Sequence, residues 1–113
     1  METGGRDMAT IMFIERHCIE DGHGIDEFGD TYDTIDDAIK ACKEQFDSML
    51  SEMASHRWCR RKNERAYACV EAVYIDEDGE IDCMSQPWDE LDERTRDILN
   101  STDCHLERLG SEV

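Results

Sequence analysis

The stretch TIDDAIKACKEQFDSMLSEM, residues 34–53, decides the fold class. Its apolar residues recur at Ile35, Ile39, Cys42, Phe46, Met49, Leu50 and Met53. That spacing of three to four lines one face of an α-helix. Lys40, Lys43, Glu44 and Asp47 fall on the outer face. Thr34 offers an N-cap hydroxyl, and Asp37, three residues on, completes a variant of the capping box. Asp36 and Asp37 also sit at the positive end of the helix dipole. The spacing predicts a helix from Ile35 to about residue 56, extending as far as Arg60. The cations Arg57, Arg60, Arg61 and Lys62 would then meet its negative end.

Outward from the helix, the pattern changes to strands. Residues 9–20, ATIMFIERHCIE, begin apolar on both faces, as a central strand does, and continue mixed. Residues 21–33 are rich in Gly and Asp and read as loop, with a short edge strand from Phe28 to Tyr32. Residues 66–75, AYACVEAVYI, form a strand, Asp76-Glu77-Asp78-Gly79 a turn, and Glu80 to Met84 a further strand. A three-residue loop with left-handed Gly79 pairs Ile75 with Ile81 and Val73 with Cys83. This keeps one apolar face continuous, so it is preferred over a two-residue loop. Pro87 suits the first turn of a last helix striped by Trp88, Leu91, Ile98 and Leu99. Residues 100–113 read as turn and tail, with Leu106 and Leu109 docking on the body. The fold class is α+β: a small antiparallel sheet of three to four strands, one long helix on a face and a shorter C-terminal helix. The expected organisation is a tail at 1–8, a single domain at 9–109 and a tail at 110–113.

A chain of 113 residues suits one domain that folds without metal or disulfide. Met1 to Asp7 carries no basic segment followed by an apolar core, so no export signal is read and a cytoplasmic location is expected. No stretch has the apolar length of a membrane helix. The six cysteines fall mostly in apolar periodic segments and are expected as reduced thiols.

Motifs for chemistry are sparse. Asp76-x-Asp78-Gly79-x-Ile81 has the middle of a calcium loop, but Tyr74 and Ser85 fall where acidic ligands belong, so a hairpin turn is preferred. His17-Cys18, His56-x-x-Cys59 and Cys104-His105 place imidazoles beside thiols, and only His56 and Cys59 have chelating spacing. A Cys/His metal site is the lesser alternative; no metal and no cofactor is the expectation. There is no phosphate loop, no nucleophile elbow and no HExxH, and the chain is read as not an enzyme.

Charge says more. The formal net charge is −17, from 29 acidic and 12 basic residues. Such a surface opposes nucleic acid and anionic membranes and favours a cationic partner. Arg57 to Arg65 is locally basic, with five cations and one acid, and reads as a helix end complementing its dipole. The acids concentrate in two stretches. Glu20 to Asp37 holds eight acids and no Lys or Arg, and Asp76 to Asp97 holds ten acids and two arginines. The candidate partner-binding residues are Asp21, Asp26, Glu27, Asp30, Asp33, Asp36 and Asp37 in the first stretch, with Asp76, Glu77, Asp78 and Glu80 in the second.

In length, charge, cysteine and methionine use and α+β layout, the chain resembles the small acidic proteins of phages and mobile elements, including anti-CRISPR proteins and DNA mimics. The resemblance is one of type and has no diagnostic motif. It implies a non-catalytic inhibitor that occupies the basic groove of a Cas or other nucleic-acid-binding effector, with carboxylates where phosphates would lie. The basic segment at 57–65 departs from a uniform mimic. The alternative reading is a structural or assembly module, a homodimer using the apolar strand at 11–14.

Overall fold

The structure is a computed structural model and describes residues 10–20, 27–56, 64–82 and 86–113. Five strands make one antiparallel sheet: β1 (Thr10–Glu20), β2 (Glu27–Tyr32), β3 (Arg65–Ile75), β4 (Ile81–Asp82) and β5 (His105–Leu109). The order is β2-β1-β3-β4, and β5 shares the outer edge of β3 with β4. The long helix α1 spans Ile35–Ser55, and a short helix α2 spans Glu93–Leu99. The tail expected at 1–8 and most of the basic segment, 57–63, lie outside the described residues.

β1 and β3 pair along their whole length, from Thr10–Ile75 to Glu20–Arg65. The even positions of β3, Ala66, Ala68, Val70 and Ala72, join one core with Phe13 and with Ala38, Cys42, Phe46, Met49 and Met53 of α1. Small side chains on the sheet thus meet long ones on the helix, and each large apolar side chain buried there contributes about 1.5–3 kcal/mol. Leu91, Leu99 and Cys104 of the C-terminal segment complete the cluster.

Local chemistry sets the element ends. The Thr34 hydroxyl accepts from the Asp37 N–H at 3.2 Å. At the β3–β4 turn, Asp76 Oδ1 accepts from the N–H groups of Asp78 and Glu80, both at 2.9 Å. Gly79 takes φ +83°, and Ile75 faces Ile81 as the three-residue loop requires. The other half of that register, Val73 with Cys83, lies outside the described residues. α1 ends at Ser55 with His56 in extended conformation as its C-cap, so it does not continue towards Arg60 as the spacing allowed.

Two features differ from the sequence reading. The last helix does not run on from Pro87. A 3₁₀ turn at Trp88–Glu90 stops at Leu91, and Asp92 opens α2 afresh by accepting from the Thr95 N–H at 2.7 Å. That hydrogen bond, with the neighbouring arginines, holds the Asp92 carboxyl below its usual range. The Arg96 side chain ties the pieces together by donating to the carbonyls of Trp88 and Asp89. Second, residues 105–109 form β5 rather than a docked tail, and Gly110 then donates to the Glu64 carbonyl. An exposed edge strand of charged residues carries little hydrophobic period to announce it. β1, meanwhile, is paired on both edges, and Phe13 and Ile14 are buried.

The packing predicts that Phe46→Ala lowers unfolding free energy by about 3–5 kcal/mol, and Thr34→Ala by about 1 kcal/mol. Urea denaturation of the two variants checks both values and their order.

Candidate functional site

Antiparallel pairing places the end of β2, the start of β1 and the end of β3 together. Tyr32 is level with Phe13, which is level with Ala72, and Ile75 is level with Thr10. Asp33, Asp36 and Asp37 therefore leave the sheet at the same end as the turn Asp76–Glu80. Two or three strand spacings separate them laterally, about 10–14 Å, and the turn projects about 10 Å further along the strand direction. Asp30, Asp33, Asp36, Asp37, Glu77, Asp78 and Glu80 are exposed, while Asp76 is half-buried by its turn. Among the described residues none of these carboxylates has an ion-pair partner.

The remaining acids of the first stretch go elsewhere. Glu20 is level with Arg65, at the opposite end of the sheet, and Asp21 to Asp26 joins β1 to β2 from there. Asp21 and Asp26 lie outside the described residues, and Glu27 is placed only by its backbone pairing with His17. The first acidic stretch is thus divided between two ends, and only its second part meets the hairpin turn. Three cations pair elsewhere: Arg16 with Glu71 at 2.8 Å, Arg65 with Glu107 at 2.9 Å and Lys43 with Asp103 at 3.3 Å.

Sequence reasoning missed a polar pair inside the core. Glu15 and His17 stand on the face of β1 that packs under α1, opposite Val70 and Ala68. Glu15 is 2% exposed, and its Oε2 lies 2.8 Å from His17 Nδ1. The sheet makes room for it. Between the pairs Ile14–Thr31 and Arg16–Phe28, β1 advances two residues and β2 three, so a bulge at Gly29-Asp30 faces Glu15. A Cβ on Gly29 would overlap Glu15 Oε1. Burial raises the Glu15 carboxyl above its ordinary range, the nearby Asp30 adds to this, and His17 opposes it. The only signal in the sequence was an acid at an inward position of a central strand.

Among the described residues no three metal-ligating side chains gather, and no helix is long and apolar enough to cross a membrane. Cys18, Cys42, Cys69 and Cys104 are thiols rather than disulfides. His56 caps α1 and contacts the Glu52 carbonyl, while Cys59 lies outside the described residues. The fold and surface define an acidic α+β protein with one helix-covered sheet face. Compared with known proteins, the chain matches no family model, no curated protein and no solved structure.

Because folding raises the Glu15 carboxyl above 4.5, the folded chain holds that proton more tightly than the unfolded chain does. Ionising it costs stability that is retained below the unfolded value and lost as pH rises through the folded one. Glu15→Gln should therefore match the parent in acid and exceed it in stability at neutral pH, in urea midpoints measured across that range. Gly29→Ala should cost about 1–3 kcal/mol, and less in a Glu15→Ser background, because the two sites touch.

Proposed function

We propose that this chain is a non-catalytic acidic binding protein that inserts carboxylates into the basic groove of a nucleic-acid-processing protein, in the manner of anti-CRISPR proteins and other DNA mimics. The observation that carries the reading is the convergence of Asp33–Asp37 and Asp76–Glu80 on one end of the sheet. Neither run contains a Lys or Arg. Their lateral separation is of the same scale as the roughly 12 Å major groove that separates rows of phosphates.

The surrounding chemistry supports the same reading. Some of these acids have local duties: Asp36 and Asp37 favour the α1 dipole, and Asp76 closes its turn. Those duties need two or three carboxylates, whereas six exposed ones stand in the two runs, with Lys40 the cation one helical turn away from Asp36 and Asp37. Mutual repulsion among them opposes folding and is relieved when a cationic groove replaces water and counter-ions. Association would be fast and strongly salt-dependent.

Titration against purified CRISPR effectors and nucleases, with DNA as competitor, tests this. The expected result is stoichiometric binding to one of them, displaced by DNA and weakened by salt. Combined reversal of Glu77, Asp78 and Glu80 to Lys should reduce affinity at least about tenfold. Reversal of Asp33, Asp36 and Asp37 should do the same, and reversal of Asp103 and Glu107 should do little. Undiminished affinity in both triple variants would refute the proposal.

A further inference from the structure

Across the face of the sheet opposite α1 runs a row of three directly opposed residues. Arg16 on β1 faces Cys69 on β3, and Cys69 faces His105 on β5. Opposed residues in an antiparallel sheet carry Cβ atoms about 4.5–5.5 Å apart. Cys69 is therefore flanked on its two neighbouring strands by an arginine and a histidine, in a chain whose net charge is −17. Arg16 also donates to Glu71 at 2.8 Å, and the second acid beside the row, Glu107, accepts from Arg65 at 2.9 Å.

His105 is oriented for the task. Its Nε2 lies 2.8 Å from the Leu99 carbonyl, which can only accept, so Nε2 carries the proton and Nδ1 is the basic nitrogen of the neutral ring. His105 is exposed, and Cys69 is half-buried. Both line a surface depression of about 360 Å³, together with Arg65, Tyr67, Glu71 and Glu107. The other described cysteines are unlike it. Cys18, Cys42 and Cys104 are buried, and burial pushes the thiols of Cys42 and Cys104 up to about 12 and about 11. Reactive thiols occupy partly exposed, cationic surroundings, and buried ones are inert.

We propose that Cys69 is a reactive thiol and a modification site for low-molecular-weight disulfides, with Arg16 and His105 as the residues that activate it. The Cys69 thiol gives its proton to His105 Nδ1, and the thiolate attacks one sulfur of the incoming disulfide. The S–S bond of that molecule breaks as the new one to Cys69 forms. The departing thiolate takes up the proton, so one disulfide is exchanged for another with no further oxidant.

The test treats the full native chain with a limiting amount of dithiobis-nitrobenzoate near neutral pH and maps the modified cysteines by peptide mass spectrometry. Cys69 should be modified ahead of Cys18, Cys42 and Cys104. In His105→Gln, which keeps an N–H for the Leu99 carbonyl but no base, labelling of Cys69 should slow at least about tenfold, and its pH profile should lose the limb due to imidazole. Rates at Cys59 and Cys83 should stay as they were. Labelling of Cys69 no faster than Cys42 and Cys104, or an unchanged rate and pH profile in His105→Gln, would overturn the proposal. Should Cys42 and Cys104 become fast in that variant, its fold is lost, and Arg16→Gln decides by the same slowing of Cys69.

Discussion

The contact between the alanine row of β3 and the Phe46, Met49 and Met53 ridge of α1 is the constraint from which the rest of the structure follows. It buries one face of the two longest strands, which fixes which parity of β1 and β3 points inward. β2 ends at Tyr32 and α1 begins at Ile35, so the helix start, with its acids, lies beside the strand ends rather than at a distance. Antiparallel pairing of β1 with β3 then returns the Asp76–Glu80 turn to that same end. The acidic surface is thus a consequence of core packing: carboxylates that cannot be buried gather where the connections are short.

One polar pair breaks the apolar rule of that core. Glu15 with His17 occupies space that a leucine would fill more favourably, and an ion or a shared proton held there repays burial only through good geometry. The pair has a compensating effect on specificity. A slip of one residue in β1 would turn Glu15 to the other face and bring Ile14 or Arg16 under the helix. The bulge at Gly29-Asp30 fits only the observed register, since a side chain at 29 would meet the carboxylate. The opposite face of the sheet mixes buried Ile14, Cys18 and Val73 with paired charges, Arg16 with Glu71 and Arg65 with Glu107, and among them lies the Cys69–His105 couple.

Much of the fold was legible in the sequence because it rested on periodicity. The α1 stripe, the Thr34 cap and the Ile75–Ile81 register all follow from spacing and turn chemistry within a few residues. The break of the last helix at Asp92 was not legible, since Asp favours a helix first turn as much as a cap. β5 was missed because its five residues are mostly polar and its partner is forty residues away. The acids were legible as runs, but which of them share an end is a matter of topology. The same holds for chemistry: sequence adjacency suggested Cys104 with His105, whereas cross-strand pairing sets His105 against Cys69.

The central claim is that Asp33–Asp37 and Asp76–Glu80 act as one cation-binding surface. An NMR titration of the isotopically labelled chain with a short oligo-arginine peptide measures this directly. The account predicts that amides of both runs shift together along a single saturable curve, ahead of those at Asp89–Asp97 and Asp103–Glu107. Shifts spread evenly over every acidic segment, or separate curves for the two runs, would contradict it.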